Sequence, residues 1–169
     1  MGIVQGALNC MGDLLETDVD WKYLQIYSGV DMPLRTNAQM VKIFKILNGS
    51  NDMELTEGQH RRYYFAKYWP VYKNGDSNVS NHDKWTPSYK GNGRRPIPPH
   101  HVRIYKGSFQ ASLSHEFVQF AFTSPVSNDL LQWLNGSYIP DEHFWATLNY
   151  NTHLGAPGNF PGCFRRSST

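Results

Sequence analysis

The segment from Tyr138 to Leu148 constrains the fold more than any other part of the chain. It predicts a helix that begins at Pro140 and carries two adjacent carboxylates, Asp141 and Glu142, in its first turn. Proline at the first helical position loses no hydrogen bond, and acidic side chains there face the positive end of the helix dipole. Because successive helical residues point about 100° apart, the two carboxylates cannot both face one cleft. We expect one to be structural and the other available for chemistry. Three large apolar side chains are expected to anchor the helix by burial: Phe144, Trp145 and Leu148.

Length and charge narrow the classes of protein to which the chain can belong. Its 169 residues suffice for one domain with a substantial core. The formal charge is only +2 and the 16 basic residues are dispersed, which argues against nucleic-acid binding. No apolar run reaches the roughly 18 to 20 residues that span a bilayer, and a signal peptide is not evident. These features alone predict a soluble, cytosolic chain. Three Asn-x-Ser sequons point instead to the secretory pathway: Asn48, Asn78 and Asn135.

Apolar periodicity and capping signals predict a helix, a strand and a second helix in the first third of the chain. Residues 3–15 carry a helical apolar stripe, and residues 23–28 form a short apolar run typical of a strand. Thr36 and Gln39 have the spacing of a capping box for the second helix, which Gly49 is expected to stop.

The middle of the chain has weaker signals. Residues 63–72 predict an aromatic-rich strand at a sheet edge, because Pro70 interrupts it. The polar stretch 73–99, rich in Gly, Pro and Asn, predicts a long loop. Two further strands are predicted over residues 102–105 and 109–113.

Two more helices are predicted after these strands. Ser114 can cap the first, and Ser127 can open the second before Gly136 stops it. Mixed strands and helices of this kind indicate an α/β architecture.

Histidine and arginine spacings give no specific site. The seven histidines lack both an i,i+4 pair with a central Glu and a zinc-type spacing, so we interpret them, including His143, as scattered surface residues. The pairs Arg94-Arg95 and Arg165-Arg166 could grip phosphate through bidentate contacts. Loop solubility is the simpler interpretation for both pairs.

The segment Pro140-Asp141-Glu142-x-x-Trp145-Ala146-Thr147 resembles the signature of the core-2/I-branching β-1,6-N-acetylglucosaminyltransferase family. The resemblance spans most of the chain and implies a GT-A glycosyltransferase fold. Residues 1–169 would supply the middle and acceptor-side portion of that catalytic domain. Further landmarks agree in the same order: Asn9-Cys10-Met11-x-Asp13-Leu14, Trp21-Lys22-Tyr23-Leu24, Ser28-Gly29-x-Asp31-x-Pro33-Leu34-x-Thr36-Asn37, Glu54, Arg62 and Tyr105-x-Gly107-Ser108.

The resemblance also implies a reaction, the transfer of N-acetylglucosamine from UDP-GlcNAc to a sugar 6-hydroxyl with inversion at the anomeric carbon. Glu142 matches the catalytic base of the family, and Asp141 would then be a structural cap. The family uses no metal and no other cofactor. An Arg and a Lys stabilise the departing UDP, and they would lie beyond Thr169.

For the acceptor, the family uses a Glu, a Lys and an Arg in the segment that corresponds to residues 54–62. Glu54 and Arg62 match the first and the last of these. The position of the Lys falls on Gln59 or His60, so a neutral residue replaces a cation there.

On the donor side, Asp31 is the candidate residue. Many GT-A enzymes bind a metal through Asp-x-Asp, and this chain contains Asp18-Val19-Asp20. Nucleotide sites lie beyond the carboxyl ends of strands, whereas Asp18 and Asp20 precede their strand and are expected in a solvated loop. Asp31 follows the same strand and is better placed.

The resemblance implies a type II Golgi membrane protein that acts in O-glycan biosynthesis from the lumenal side. Its membrane anchor would lie outside this chain. In the family the cysteine that matches Cys10 pairs with a residue upstream, so we expect Cys10 to be unpaired here. We also expect the isolated 169-residue chain to be incomplete and inactive, because the uridine-binding strands would precede Met1.

Two other functions stay open at this point. Peptide O-xylosyltransferases are similar around Ser28-Gly29-x-Asp31, although the intact Trp145-Ala146-Thr147 favours the branching enzymes. The chain could also be a sugar-binding protein without catalytic activity.

Overall fold

The computed structural model describes residues 2–56, 95–137 and 139–159. This part of the chain contains five α helices, three strands and two short 3-10 turns. In chain order they are α1 (Gly2–Leu15), β1 (Tyr23–Ile26), α2 (Asn37–Leu47), β2 (Asp52–Met53), a 3-10 turn (Pro99–His101), β3 (Ala111–Ser114), α3 (His115–Thr123), α4 (Pro125–Leu134), α5 (Asp141–Tyr150) and a second 3-10 turn (Thr152–Leu154).

The three strands form a small antiparallel sheet in the order β1-β3-β2. Ile26 of β1 and Met53 of β2 both face Ala111 across the sheet, so β3 is the central strand. All four residues of β3 are buried. A small sheet with helices packed around it agrees with the predicted α/β class at the coarse level.

Helix α1 forms where the apolar stripe predicts it. Val4, Leu8 and Met11 are buried, at one-turn spacing along one face. This face packs against α3 and α5. Together with β3 and α4, these helices enclose one hydrophobic core.

The predicted capping box of α2 is confirmed. The Thr36 hydroxyl accepts a hydrogen bond from the Gln39 backbone N–H at 3.3 Å, and the Gln39 side-chain oxygen accepts one from the Thr36 N–H at 3.1 Å. The helix ends at Asn48, which has left-handed backbone angles, and Gly49 follows with a φ of 90°. No residue of α2 is buried, so this helix lies at the edge of the described structure.

The start of α4 corrects one prediction. The helix opens at Pro125 with Ser124 before it, two residues earlier than predicted, because proline has the backbone angle of a first helical residue. Ser127 is buried inside the first turn, and its hydroxyl donates to the Ala121 carbonyl. Ser114, in contrast, caps α3 as predicted, accepting a hydrogen bond from the Phe117 N–H at 3.2 Å.

The environment of Arg95 differs from the predicted one. The residue was expected to provide solubility in a loop or to bind phosphate. It is only 4% exposed, and its guanidinium lies 4.4 Å from the centre of the Trp133 ring. One of its terminal nitrogens donates to the Asn135 carbonyl at 3.2 Å. Burial lowers the pKa of Arg95 to about 10. Arg95 is therefore a packing residue.

Several predictions fall outside the described residues. These are the strand over 63–72, residues 73–94 of the long loop, Arg94, and the pair Arg165-Arg166. Within the described part of that loop, residues 95–98 form neither helix nor strand, as predicted, and Pro99 begins the first 3-10 turn.

Candidate active site at the start of helix α5

Helix α5 is buried on nearly all sides. Every side chain from His143 to Asn149 is buried, including the predicted anchors Phe144, Trp145 and Leu148. Asp141 and Glu142 in the first turn are half-exposed, as is Tyr150 at the other end of the helix.

Asp141 was predicted to cap the helix, but its side chain makes no capping hydrogen bond. No side chain caps the first turn, and Pro140 occupies the cap position with helical backbone angles. Asp141 can therefore support the helix only through its charge near the positive end of the dipole.

Residues 103–107 lie against α5 and form no strand, which corrects the predicted strand over 102–105. The backbone groups of Arg103, Tyr105 and Gly107 bond to α5 and the residue after it, instead of to a neighbouring strand. The Asn151 side chain accepts from the Arg103 N–H at 2.9 Å and donates to the Arg103 carbonyl at 2.8 Å. The Thr147 hydroxyl accepts from the Tyr105 N–H at 3.0 Å. Apolar burial of Val102 and Ile104 produced the strand-like pattern.

His143 completes this set of contacts, and it was wrongly predicted to be a surface residue. Its side chain is fully buried, and Nδ1 lies 3.0 Å from the Tyr105 carbonyl oxygen. Since a carbonyl can only accept, Nδ1 carries the proton. Burial lowers the pKa of His143. The residue therefore acts as a neutral donor inside the core.

A signal for these contacts was present in the sequence. His143, Thr147 and Asn151 follow one another at intervals of four residues, among large apolar neighbours. Polar groups at helical spacing on a buried helix need partners. Such a stripe indicates that a stretch of backbone lies against the helix.

Glu142, the predicted base, is paired with a lysine that sequence reasoning did not identify. Its carboxylate oxygen Oε2 lies 3.0 Å from Nζ of Lys106. The Glu142 side chain is 28% exposed and the Lys106 side chain 11% exposed. The carboxylate is therefore fixed in a partly desolvated position that solvent can still reach.

Gly107 contacts the backbone of Glu142 on one side and lies close to the backbone of Glu54 on the other. Its N–H donates to the Glu142 backbone carbonyl at 2.8 Å. A Cβ atom added to Gly107 would lie 2.1 Å from the Glu54 backbone oxygen and 3.3 Å from the Ala146 side chain. Only glycine allows this approach. Two predicted site residues from distant parts of the sequence thus meet at the landmark Tyr105-x-Gly107.

Glu54 itself is exposed, and its carboxylate accepts a hydrogen bond from the Thr56 hydroxyl at 2.7 Å. The Thr56 N–H donates to the Lys106 carbonyl at 2.8 Å. The segment that carries Glu54 is thereby attached to the segment that carries Lys106. Arg62, the other predicted acceptor residue, lies outside the described residues.

Asp31, the donor-side candidate, joins a network beside this site. Its Oδ2 accepts from the Ser28 N–H at 2.7 Å and from the Gln110 side-chain amide at 3.0 Å. The Ser28 backbone N–H is the first cause that lowers the pKa of Asp31, followed by Gln110. The Ser108 hydroxyl in turn donates to the Gln110 side-chain oxygen. The landmarks Ser28-Gly29-x-Asp31 and Gly107-Ser108 are therefore connected through Gln110.

The Asp18-Val19-Asp20 segment lies in a solvated loop, as predicted. Asp18 is exposed, and Asp20 pairs with Lys22 at 2.8 Å on the surface. The hydrogen bond from Lys22 lowers the pKa of Asp20. Within residues 2–56, 95–137 and 139–159, no group of three or more His, Cys, Asp or Glu side chains could hold a metal ion. Cys10 is exposed, and it forms no disulfide within the described residues.

A groove of about 770 Å³ lies elsewhere, beside α2, and Tyr23, Phe44 and Glu116 are among the residues that line it. Of the predicted site residues that the structure describes, Asp31, Glu54 and Glu142, none lines this groove. Its size therefore says nothing about the chemistry of Glu142, and we assign the candidate site from side-chain geometry.

The groups gathered at the start of α5 define a class of site. A carboxylate that is held in place, partly desolvated and still open to solvent is a candidate for acid–base catalysis. The sequence profile of the Core-2/I-Branching enzyme family matches residues 1–169. The chain belongs to this family. Its curated relatives carry the names of glycosyltransferases.

Several curated proteins are similar to the chain. The β-1,3-galactosyl-O-glycosyl-glycoprotein β-1,6-N-acetylglucosaminyltransferase 3 of Rattus norvegicus is 34% identical over 158 residues, which is 94% of this chain and 33% of the relative. The human protein of the same name is 33% identical over 159 residues, with the same coverage. A β-1,6-N-acetylglucosaminyltransferase of Bovine herpesvirus 4 is 34% identical over 158 residues.

The chain spans about a third of the length of these curated relatives. None of the helices within the described ranges is both long and apolar enough to cross a bilayer.

Proposed function

We propose that this chain is part of an inverting β-1,6-N-acetylglucosaminyltransferase. In this proposal the enzyme transfers N-acetylglucosamine from UDP-GlcNAc to the 6-hydroxyl of an acceptor sugar, without a metal ion, in O-glycan or I-antigen branching. Family membership and the names of the relatives support the type of sugar transferred.

The observation that carries the proposal is the environment of Glu142. A general base must be fixed, partly desolvated and within reach of the proton that it removes. The contact between the Glu142 carboxylate and Lys106, the hydrogen bond from Gly107 to the Glu142 backbone carbonyl and the 28% exposure of the Glu142 side chain support the first two requirements and leave part of the side chain open to an acceptor.

The proposed chemistry is a direct displacement. Glu142 takes the proton of the acceptor 6-hydroxyl as the oxygen of this hydroxyl forms a bond to the anomeric carbon. The bond from the anomeric carbon to the UDP oxygen breaks on the opposite face, and UDP leaves with the electron pair. Attack from that side inverts the anomeric configuration, so an α-linked donor gives a β-linked product.

We also propose substrate-binding roles. We assign Glu54 to the acceptor, since the Glu54 segment approaches Gly107 beside Glu142, and Arg62 to the acceptor on the family pattern alone. We assign Asp31 to the donor side, because its network reaches Ser108, the residue next to Gly107. A GT-A fold and a lumenal position in the Golgi membrane complete the proposal.

The assay uses the protein produced from the complete coding sequence. The protein is incubated with UDP-GlcNAc and a core 1 disaccharide acceptor, or with UDP-xylose and a serine-containing peptide acceptor, each with and without a chelator. We expect UDP release and a β-1,6-linked product with UDP-GlcNAc alone. Transfer from UDP-xylose would support a xylosyltransferase instead, and no transfer from either donor would favour a sugar-binding protein.

A variant at Glu54 tests the acceptor assignment. Glu54→Ala is expected to raise the acceptor KM and leave the donor KM unchanged. Asp52→Ala is a matched control, since Asp52 is an exposed carboxylate two residues away in β2. Equal acceptor KM values in Glu54→Ala and the parent would remove Glu54 from the site.

A further inference from the structure

Lys106 occupies the variable position of the landmark Tyr105-x-Gly107, so no motif points to it. Its Nζ lies 3.0 Å from Oε2 of Glu142 and donates to the Gly107 carbonyl at 3.2 Å. The side chain is 11% exposed. The long lysine stem is therefore buried, and its charged end is directed at the carboxylate of the proposed base.

The backbone on both sides of this ion pair is also fixed. The Lys106 carbonyl accepts from the Thr56 N–H, and the Gly107 N–H donates to the Glu142 carbonyl, both at 2.8 Å. These two bonds hold the Thr56 segment and the Glu142 segment against residues 106 and 107, where the ion pair forms. The position of the ammonium group does not depend on the flexible lysine side chain alone.

A second lysine–carboxylate pair in the structure provides a contrast. Lys22 and Asp20 approach to 2.8 Å, but their side chains are 74% and 85% exposed. Exposed pairs of this kind contribute little, because water screens the charges and both side chains lose mobility. The pair of Lys106 and Glu142 is shielded on most sides, so its geometry is better defined.

We propose that Lys106 is the positioning residue for Glu142. Its ammonium group holds Oε2 in place and so orients the carboxylate toward the acceptor hydroxyl. This inference rests on the proposed function of Glu142 as the base. It adds a residue that neither the family signature nor the predicted site contains.

The kinetic test uses the protein from the complete coding sequence with UDP-GlcNAc and acceptor. Lys106→Met keeps most of the stem and removes the charge, whereas Lys106→Arg keeps the charge. We expect Lys106→Met to lower kcat by about 10- to 100-fold, because a misplaced base costs rate, with little change in acceptor KM. Lys106→Arg should recover most of the loss. Lys22→Met is the matched control and should equal the parent.

Two kinetic outcomes would overturn the inference. One is a Lys106→Met variant whose kcat is within twofold of the parent. The other is an equal loss in the Met and Arg variants, which would indicate packing and not charge.

Thermal unfolding of Lys106→Met, Glu142→Gln and the double variant gives a test that needs no activity. If Lys106 holds the carboxylate, the two decreases in Tm should not add in the double variant. Additive decreases would contradict the contact. The two proposals can fail separately. A parent without transferase activity would contradict the proposed function. The unfolding measurements would still show whether Lys106 and Glu142 interact.

Discussion

Two buried polar residues, His143 and Asn51, connect separate segments of the described structure. His143 binds the Tyr105 carbonyl from within α5. Asn51 accepts from the Ser114 N–H at 2.9 Å and donates to the Asn149 side chain and the Pro157 carbonyl. His143 joins α5 to the segment before β3, and Asn51 joins the edge of the sheet at Ser114 to α5 and to Pro157. Losing either is expected to cost more than an average surface contact.

The protonation of His143 predicts how stability depends on pH. The pKa of His143 is lowered in the folded state, so below the ordinary value of 6.5 the unfolded chain binds a proton that the folded chain does not. The free energy of unfolding should therefore be highest above pH 6.5 and fall as the pH decreases. A single group changes it by at most about 1.4 kcal/mol per pH unit.

Thermal unfolding of the parent, His143→Asn and His101→Asn from pH 7.5 to 5 measures this dependence. His143→Asn keeps a donor near the Tyr105 carbonyl but cannot titrate, so its Tm should fall less with pH. His101 is exposed and serves as the control. If all three proteins lose Tm in parallel, His143 does not carry the effect.

Removing Asn51 should destabilise the protein strongly. Asn51→Ala leaves the buried Ser114 N–H without its acceptor and the Asn149 side-chain oxygen without a donor. Each unmet buried group costs about 1 to 3 kcal/mol, so we expect a loss of about 3 kcal/mol in urea unfolding. Asn128→Ala, at an exposed position of α4, should change stability by less than about 0.5 kcal/mol. Similar effects of the two changes would be evidence against the bridging role.

At the scale of elements, the helices could be predicted and the path of residues 102–107 could not. The stripe of α1 and the capping box of α2 are local signals, set by residues within a few positions of each other. The segment before Gly107 has the same apolar alternation as a strand. Its partner is a helix about 40 residues away, which supplies side-chain bonds in place of a ladder. Local patterns carry no information about such a partner.

The residues of the candidate site also fall into those that local signals predict and those that they do not. Glu142 could be identified because the helix start and the family signature both lie within a few residues of it. Lys106 and Gln110 could not, since their roles depend on contacts made only in the folded chain.

Gly107 is the point where three segments meet, and its substitution tests that packing. In Gly107→Ala the new methyl group would collide with the backbone oxygen of Glu54, the residue that follows β2. We expect a loss of about 3 kcal/mol or more in urea unfolding. Gly6→Ala is the control of opposite sign. Nothing lies within 4 Å of its added Cβ and the position is helical, so this change should stabilise by up to about 1 kcal/mol. A tolerated Gly107→Ala would mean that the Glu54 segment lies farther away.

For the whole molecule, the residues of the candidate site come from four separate parts of the chain. Asp31 follows β1, Glu54 follows β2, the segment 103–110 precedes β3, and Glu142 begins α5. Their convergence gives the chain a site that no single element contains. It also agrees with the family membership of all 169 residues. The central claim of our account is that Glu142 is the chemical centre of this site.

The most direct test is the rate of UDP release, with acceptor present, by Glu142→Gln in the protein from the complete coding sequence. Glutamine keeps the size of the side chain but cannot take the proton, so kcat should fall by about 10²- to 10⁴-fold. Asp141→Asn, the neighbouring change, should retain most of the activity. Turnover by Glu142→Gln equal to that of an active parent would contradict the assignment of Glu142 as the base.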